Sequence, residues 1–162
     1  MLTRADAGLQ TERPDVRAYR ERPMINYMFR KPKYPVLIET DHWVVGARNA
    51  QKIERLLGRS AFANKESYIV IDSSGEGWCF VPELVVISPL TLQKSWNKPK
   101  IINFFNSSLA QTGCTAKYQP RSLSNTRLDR LVDEMVEFEK KLQQVARARG
   151  RFRKELSTSR PK

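Results

Sequence analysis

The chain has 162 residues, 40% of them hydrophobic and 28% charged, with a formal net charge of +12. That length and apolar content support one domain with a real core and exclude a chain disordered throughout. Two cysteines and one histidine are too few for a structural zinc site, which needs about four ligands in close pairs, or for a disulfide-stapled secreted scaffold.

The charge is concentrated at the ends. Residues 1–33 carry +4, residues 140–162 carry +8, and residues 34–139 are neutral, with twelve charges of each sign. Basicity is therefore terminal and hydrophobicity central, an arrangement that attracts polyanions to the ends of the chain. Residues 1–23 have no apolar signal-peptide core. The longest nearly apolar run, Val81 to Leu90, is broken by Pro82, Glu83, Ser88 and Pro89 and is too short for a membrane span. The expectation is a soluble cytoplasmic protein.

In chain order, residues 1–23 hold Arg4, Arg13, Arg17, Arg20 and Arg22 among few apolar residues and read as a flexible basic extension. Met24 opens a more hydrophobic stretch and is an alternative start. An α+β core is expected over 24–106. Val36-Leu37-Ile38 and Trp43-Val44-Val45 are β-favouring, with Thr40-Asp41-His42 as the turn between them. Asn49 is a good N-cap for a helix with Ile53, Leu56 and Leu57 on one face, and Gly58 is a natural left-handed terminator. Tyr68–Ile71 and Trp78–Val81 form a hairpin around the glycine-containing turn Asp72–Gly77. Leu84–Ile87 reads as another short strand, ended by Ser88-Pro89.

Asn97-Lys98-Pro99 starts a second helix with Ile101, Ile102, Phe104 and Phe105 on its apolar face. Residues 107–125 read as a linker. Thr126-Arg127-Leu128-Asp129 resembles a capping box with Asp in place of Glu, opening an amphipathic helix over 126–149. Leu128, Leu131, Met135, Phe138, Leu142 and Val145 form a heptad-like seam along it. The seam is read as packing on its own domain, with coiled-coil self-association as the alternative. Residues 150–162 are a flexible basic tail. The expected fold class is α+β: a small, mostly antiparallel sheet with two short helices, then a long amphipathic helix and the tail.

Catalytic chemistry finds little support. Asp72 and Glu76 match neither a calcium-binding nor a phosphate-binding loop and are read as a solvated turn. His42 beside Asp41 lies in a segment where neighbouring side chains alternate, so no acid–base pair is expected. Cys79, between Trp78 and Phe80, reads as a buried inert thiol. No serine sits in a nucleophile elbow. No enzyme class and no cofactor is expected.

The basic tail is different. Arg147, Arg149, Arg151, Arg153 and Lys154 place five positive charges in eight residues, with Phe152 among them. Guanidinium groups pair bidentately with phosphates, and an aromatic ring adds a stacking surface. Lys98 and Lys100, near Trp96, make a second basic cluster, with Trp96 either a core residue or an exposed stacking surface. The functional expectation is a nucleic-acid-binding accessory protein, for RNA or DNA. The alternative is an interaction or assembly factor acting through the Leu128–Val145 seam on a protein partner or a second copy.

Overall fold

The computed structural model describes residues 24–90 and 95–158, and side chains as far as residue 148. Residues 1–23, read as a basic extension, lie outside the described residues. The elements are β1 (Asn26–Tyr27), β2 (Val36–Glu39), β3 (Val44–Ala47), α1 (Ala50–Leu57), β4 (Tyr68–Ile71), β5 (Gly77–Val81), β6 (Val86–Pro89), α2 (Lys98–Gln111) and α3 (Leu128–Thr158). The six strands form one sheet in the order β1-β6-β5-β4-β2-β3. All neighbours are antiparallel except β1 and β6, which are parallel. The fold is α+β, as the separate strand and helix patterns along the sequence implied.

The two-residue period of the strands divides the core into two layers. Val36 and Ile38 of β2, Val45 of β3, Val70 of β4 and Phe80 of β5 pack with Ile53 and Leu56 of α1 on one face. Leu37, Val44 and Ile71 point to the other face and pack under α2 and α3, against Ile101, Phe105, Leu131 and Met135. Leu131 and Met135 are wholly buried, and burial of such a side chain contributes about 2 kcal/mol each. The helices cover only the β2–β3 half of this second face. Cys79 of β5, expected to be buried, is half-exposed: it lies opposite Ile69 and Ser88, while α2 and α3 pack mainly on β2 and β3.

Several boundaries differ from those read in the sequence. The last strand lies two residues later than Leu84–Ile87, because Pro82 to Val85 form the reversal: the Val85 N–H donates to the Pro82 carbonyl at 3.2 Å, and Val85 has φ of 52°. Ser88 and Pro89 are consequently inside the strand. Asn49 caps α1 as expected, accepting from the Lys52 N–H. Gly58 is right-handed, and the left-handed residue is Ser60, because the chain takes a further turn held by Arg59 and Ser60 N–H groups on the Leu56 and Leu57 carbonyls. Helix α2 runs to Gln111, into the stretch read as a linker. The polar Ser108 is tolerated there because its hydroxyl donates to the Phe105 carbonyl, and Leu109 is buried. The capping box does not form: the Thr126 hydroxyl donates to the Ser122 carbonyl, so it is not free to cap α3. Backbone helix in α3 extends to Thr158, across the start of the segment read as a flexible tail.

Helix α3 seats on the sheet at Gly46. A Cβ at this position would lie 2.6 Å from Val136 Cγ2 and 2.9 Å from Val136 Cα. Only glycine lets the helix backbone come this close. The Gly46→Ala substitution should therefore destabilise the fold by about 1–3 kcal/mol through overpacking. Adding Val136→Ala should recover part of the loss, because the side-chain clash is relieved and the backbone contact persists. Thermal melts of the single and double variants check this; a Gly46→Ala protein as stable as wild type would contradict it.

Candidate nucleic-acid interface

The seam residues divide along α3. Leu131 and Met135 are buried, while Leu128, Phe138 and Leu142 are half-buried, with Phe138 edge-on to Tyr118 at 5.8 Å and to Phe105 at 6.3 Å. Val145 is 51% exposed. The stripe thus packs on its own domain through its first half. Val132, Val136 and Glu139, outside the heptad pattern, are buried with it, because a straight helix facing a sheet buries a broader arc than a coiled-coil seam. A seven-residue repeat drifts by about 20° per heptad on a straight helix. By Val145 the stripe has turned off the domain.

The candidate basic residues are not gathered into one site. Lys98 is half-buried and its ammonium donates to the Leu123 and Ser124 carbonyls at 2.9 and 3.3 Å. It fastens the start of α2 to the loop before α3. Lys100 is exposed on α2. Trp96 is a core residue, 9% exposed and packed against Phe104. Arg147 is exposed on α3, at the far end of the domain from Lys98. The side chains of Arg149, Arg151, Phe152, Arg153 and Lys154 lie outside the described residues.

The carboxylates weighed for chemistry serve the fold. Asp72 is buried, and its oxygens accept from the N–H groups of Lys33, Ser74 and Glu76 and from the Ser74 hydroxyl. Glu76 pairs with Arg30. Asp41 accepts from the Ala63 and Asn64 N–H groups and the Tyr68 hydroxyl, pinning the chain before β4. Among the described residues, no group of three or more potential metal ligands gathers, and no helix is long and apolar enough to cross a membrane.

Residues that the sequence reading passed over form the best-defined concavity near Arg147. Trp43, at the start of the β3 segment, stands half-buried between two hollows. On one side is a groove of about 440 Å³ lined by Leu109, Cys114, Glu139, Leu142 and Val145. On the other is a cleft of about 290 Å³ whose lining includes His42, Val45, Leu56, Arg59, Gln143 and Arg147. Glu139 organises the wall between them. Its carboxylate accepts from the Gln143 side-chain amide, and the Trp43 indole and Gly46 amide approach it as donors. The signal for Glu139 was legible: it follows Leu131 and Met135 at four-residue spacing, a carboxylate on the buried face.

No family model, no curated protein and no solved structure matches the chain. The site therefore rests on its own geometry.

Two of these carboxylates are shifted in opposite senses. Burial pushes the Glu139 carboxyl above its ordinary range, against the opposing pull of Lys52, Trp43, Gln143 and Gly46. Its stabilising contribution is then complete below its unfolded value, about 4.3, and is lost as pH rises through the folded pKa. For Asp41, burial pushes upward, but the Tyr68 hydroxyl and the Ala63 and Asn64 amides outweigh it and hold the carboxyl low. Its contribution is present above about 3.9 and is lost as pH falls through the folded value. Melting temperature against pH should therefore lose its mildly acidic gain in Glu139→Gln, whereas Asp41→Asn should lower stability at neutral pH and flatten the acid limb. Profiles parallel to wild type in both variants would contradict these assignments.

Proposed function

We propose that the protein is a nucleic-acid-binding accessory protein, with an electrically neutral α+β scaffold presenting an arginine-rich helix end to phosphates. The observation that carries this reading is the separation of charge: residues 34–139 are neutral, while residues 140–162 carry +8. Helix α3 joins the two regions, since its first half is core and its later residues hold the arginines. A charged rod of this kind meets phosphates without needing a base sequence. Binding rather than catalysis is supported by the commitment of Asp41 and Asp72 to protein donors. Both cysteines are free, which suits a cytoplasmic setting.

A second reading, an interaction factor using the seam, is favoured by one observation: Val145 continues the apolar stripe while 51% exposed. It places a protein partner or a second copy at the outer part of α3.

Replacing Arg147, Arg149, Arg151, Arg153 and Lys154 together by Gln tests the first reading. Affinity for a short single-stranded oligonucleotide should fall, and the slope of log affinity against log salt should become shallower by up to about four units. Fluorescence anisotropy across a salt series measures both. An unchanged slope would move the interface off the tail.

A further inference from the structure

The cleft beside Trp43 combines three features that belong together for one class of ligand. Its wall is an aromatic face: Trp43 is half-buried, so part of the indole meets the cavity. Its floor is apolar, from the buried Val45, Leu56 and Ala61. Its rim carries Arg59, just after α1, and Arg147, on α3; both are exposed, and among the described residues neither takes part in an ion pair. A flat ring beside two guanidinium groups is the arrangement that takes a base and its phosphate.

We infer that this cleft holds one nucleotide of a single strand, with the base against Trp43 and the phosphate between Arg59 and Arg147. The inference rests on the nucleic-acid reading above and names its substrate class. A cleft of about 290 Å³ admits an unstacked base and excludes a duplex, whose bases are already paired and stacked. The polar lining suits the edges of a base. Thr40 is committed, its hydroxyl donating to the Trp43 carbonyl and accepting from the His42 and Trp43 N–H groups. His42 is exposed, and Gln143, whose amide nitrogen donates to Glu139, keeps its carbonyl oxygen for a base donor. Glu139 is a positioning residue here, holding the Gln143 side chain from behind. The groove on the other side of Trp43 is lined by that carboxylate and by no basic residue, so it repels a phosphate. Arg147 joins the cleft to the arginine run, and a strand lying along α3 reaches the cleft at its 5′ or 3′ end.

The test uses the full chain and tryptophan fluorescence during titration with a short oligothymidylate, in parallel with inorganic polyphosphate and a base-paired duplex. Trp78 and Trp96 are buried, so quenching reports on Trp43. Oligothymidylate should quench; polyphosphate and duplex should bind without quenching. Trp43→Leu should abolish the quench and weaken oligothymidylate binding about tenfold, leaving polyphosphate binding unchanged. Arg59→Ala, at an exposed side chain, should lower the salt slope for oligothymidylate by about one unit. Oligothymidylate binding without quenching, with Trp43→Leu and Arg59→Ala both binding as wild type, would overturn the cleft and leave the tail reading standing. Failure of the wild-type chain to bind oligothymidylate at low salt would overturn both. Equal quenching by polyphosphate would show an anion site with no base in it, and would also overturn the inference.

Discussion

The contact between α3 and β3 at Gly46 is the constraint on which the rest of the structure depends. Strand β3 is the edge of the sheet, and an edge exposes backbone N–H groups that need partners. Here the partners are side chains of the covering helices. The Val44 N–H donates to the Ser108 hydroxyl of α2 at 3.0 Å, and the Gly46 amide meets the Glu139 carboxylate of α3. Both helices must lie close for this to work. The missing side chain at Gly46 is what lets Val136 and the α3 backbone approach. A buried carboxylate, ordinarily a cost, is kept because it replaces the neighbouring strand that β3 lacks.

The same contact places the candidate interface. Gln143 is held by the Glu139 carboxylate, the Trp43 indole lies beside the same carboxylate, and Arg147 follows Gln143 by one helical turn. Further out, Arg48 bridges to Asp133 at 2.7 Å and to Glu137 at 2.9 Å. These pairs are about half-exposed and add little stability, but they tie β3's end to the acidic first half of α3, whose far end carries the excess positive charge. Core packing, the cleft and the basic run thus lie along one helix in that order. In the proposed function the scaffold's task is to hold that helix rigidly.

Much of this was readable from local pattern. Runs of β-favouring residues bounded by turn residues located β2 to β5, and Asn49 and Asn97 marked the starts of α1 and α2 because an N-cap is a local interaction with the next turn. The seam in α3 was found by its spacing. What escaped was set by distant partners. Nothing near Ser108 in sequence says that its hydroxyl caps Val44, so its polar neighbourhood read as linker. Nothing near Gly46 says that a helix ninety residues later needs the space. The strand after Pro82 was placed too early because Leu84 and Val85 are β-favouring residues used in a turn. Trp43 was read as the first residue of a strand, but β3 begins at Val44, and the role of Trp43 as a wall between two hollows depends on α3. Arg59 looked like one more surface charge after a helix.

The central claim is that α3 and α2 close the sheet edge as permanent parts of the fold, so that the cleft beside Trp43 exists before any ligand arrives. Amide hydrogen exchange of the ligand-free protein tests it most directly. The account predicts that the Val44 and Gly46 amides exchange as slowly as those of interior strands such as β4, although they belong to an edge strand. Rapid exchange at both, with β4 protected, would mean that the helices lift from the edge in solution, and would contradict the account.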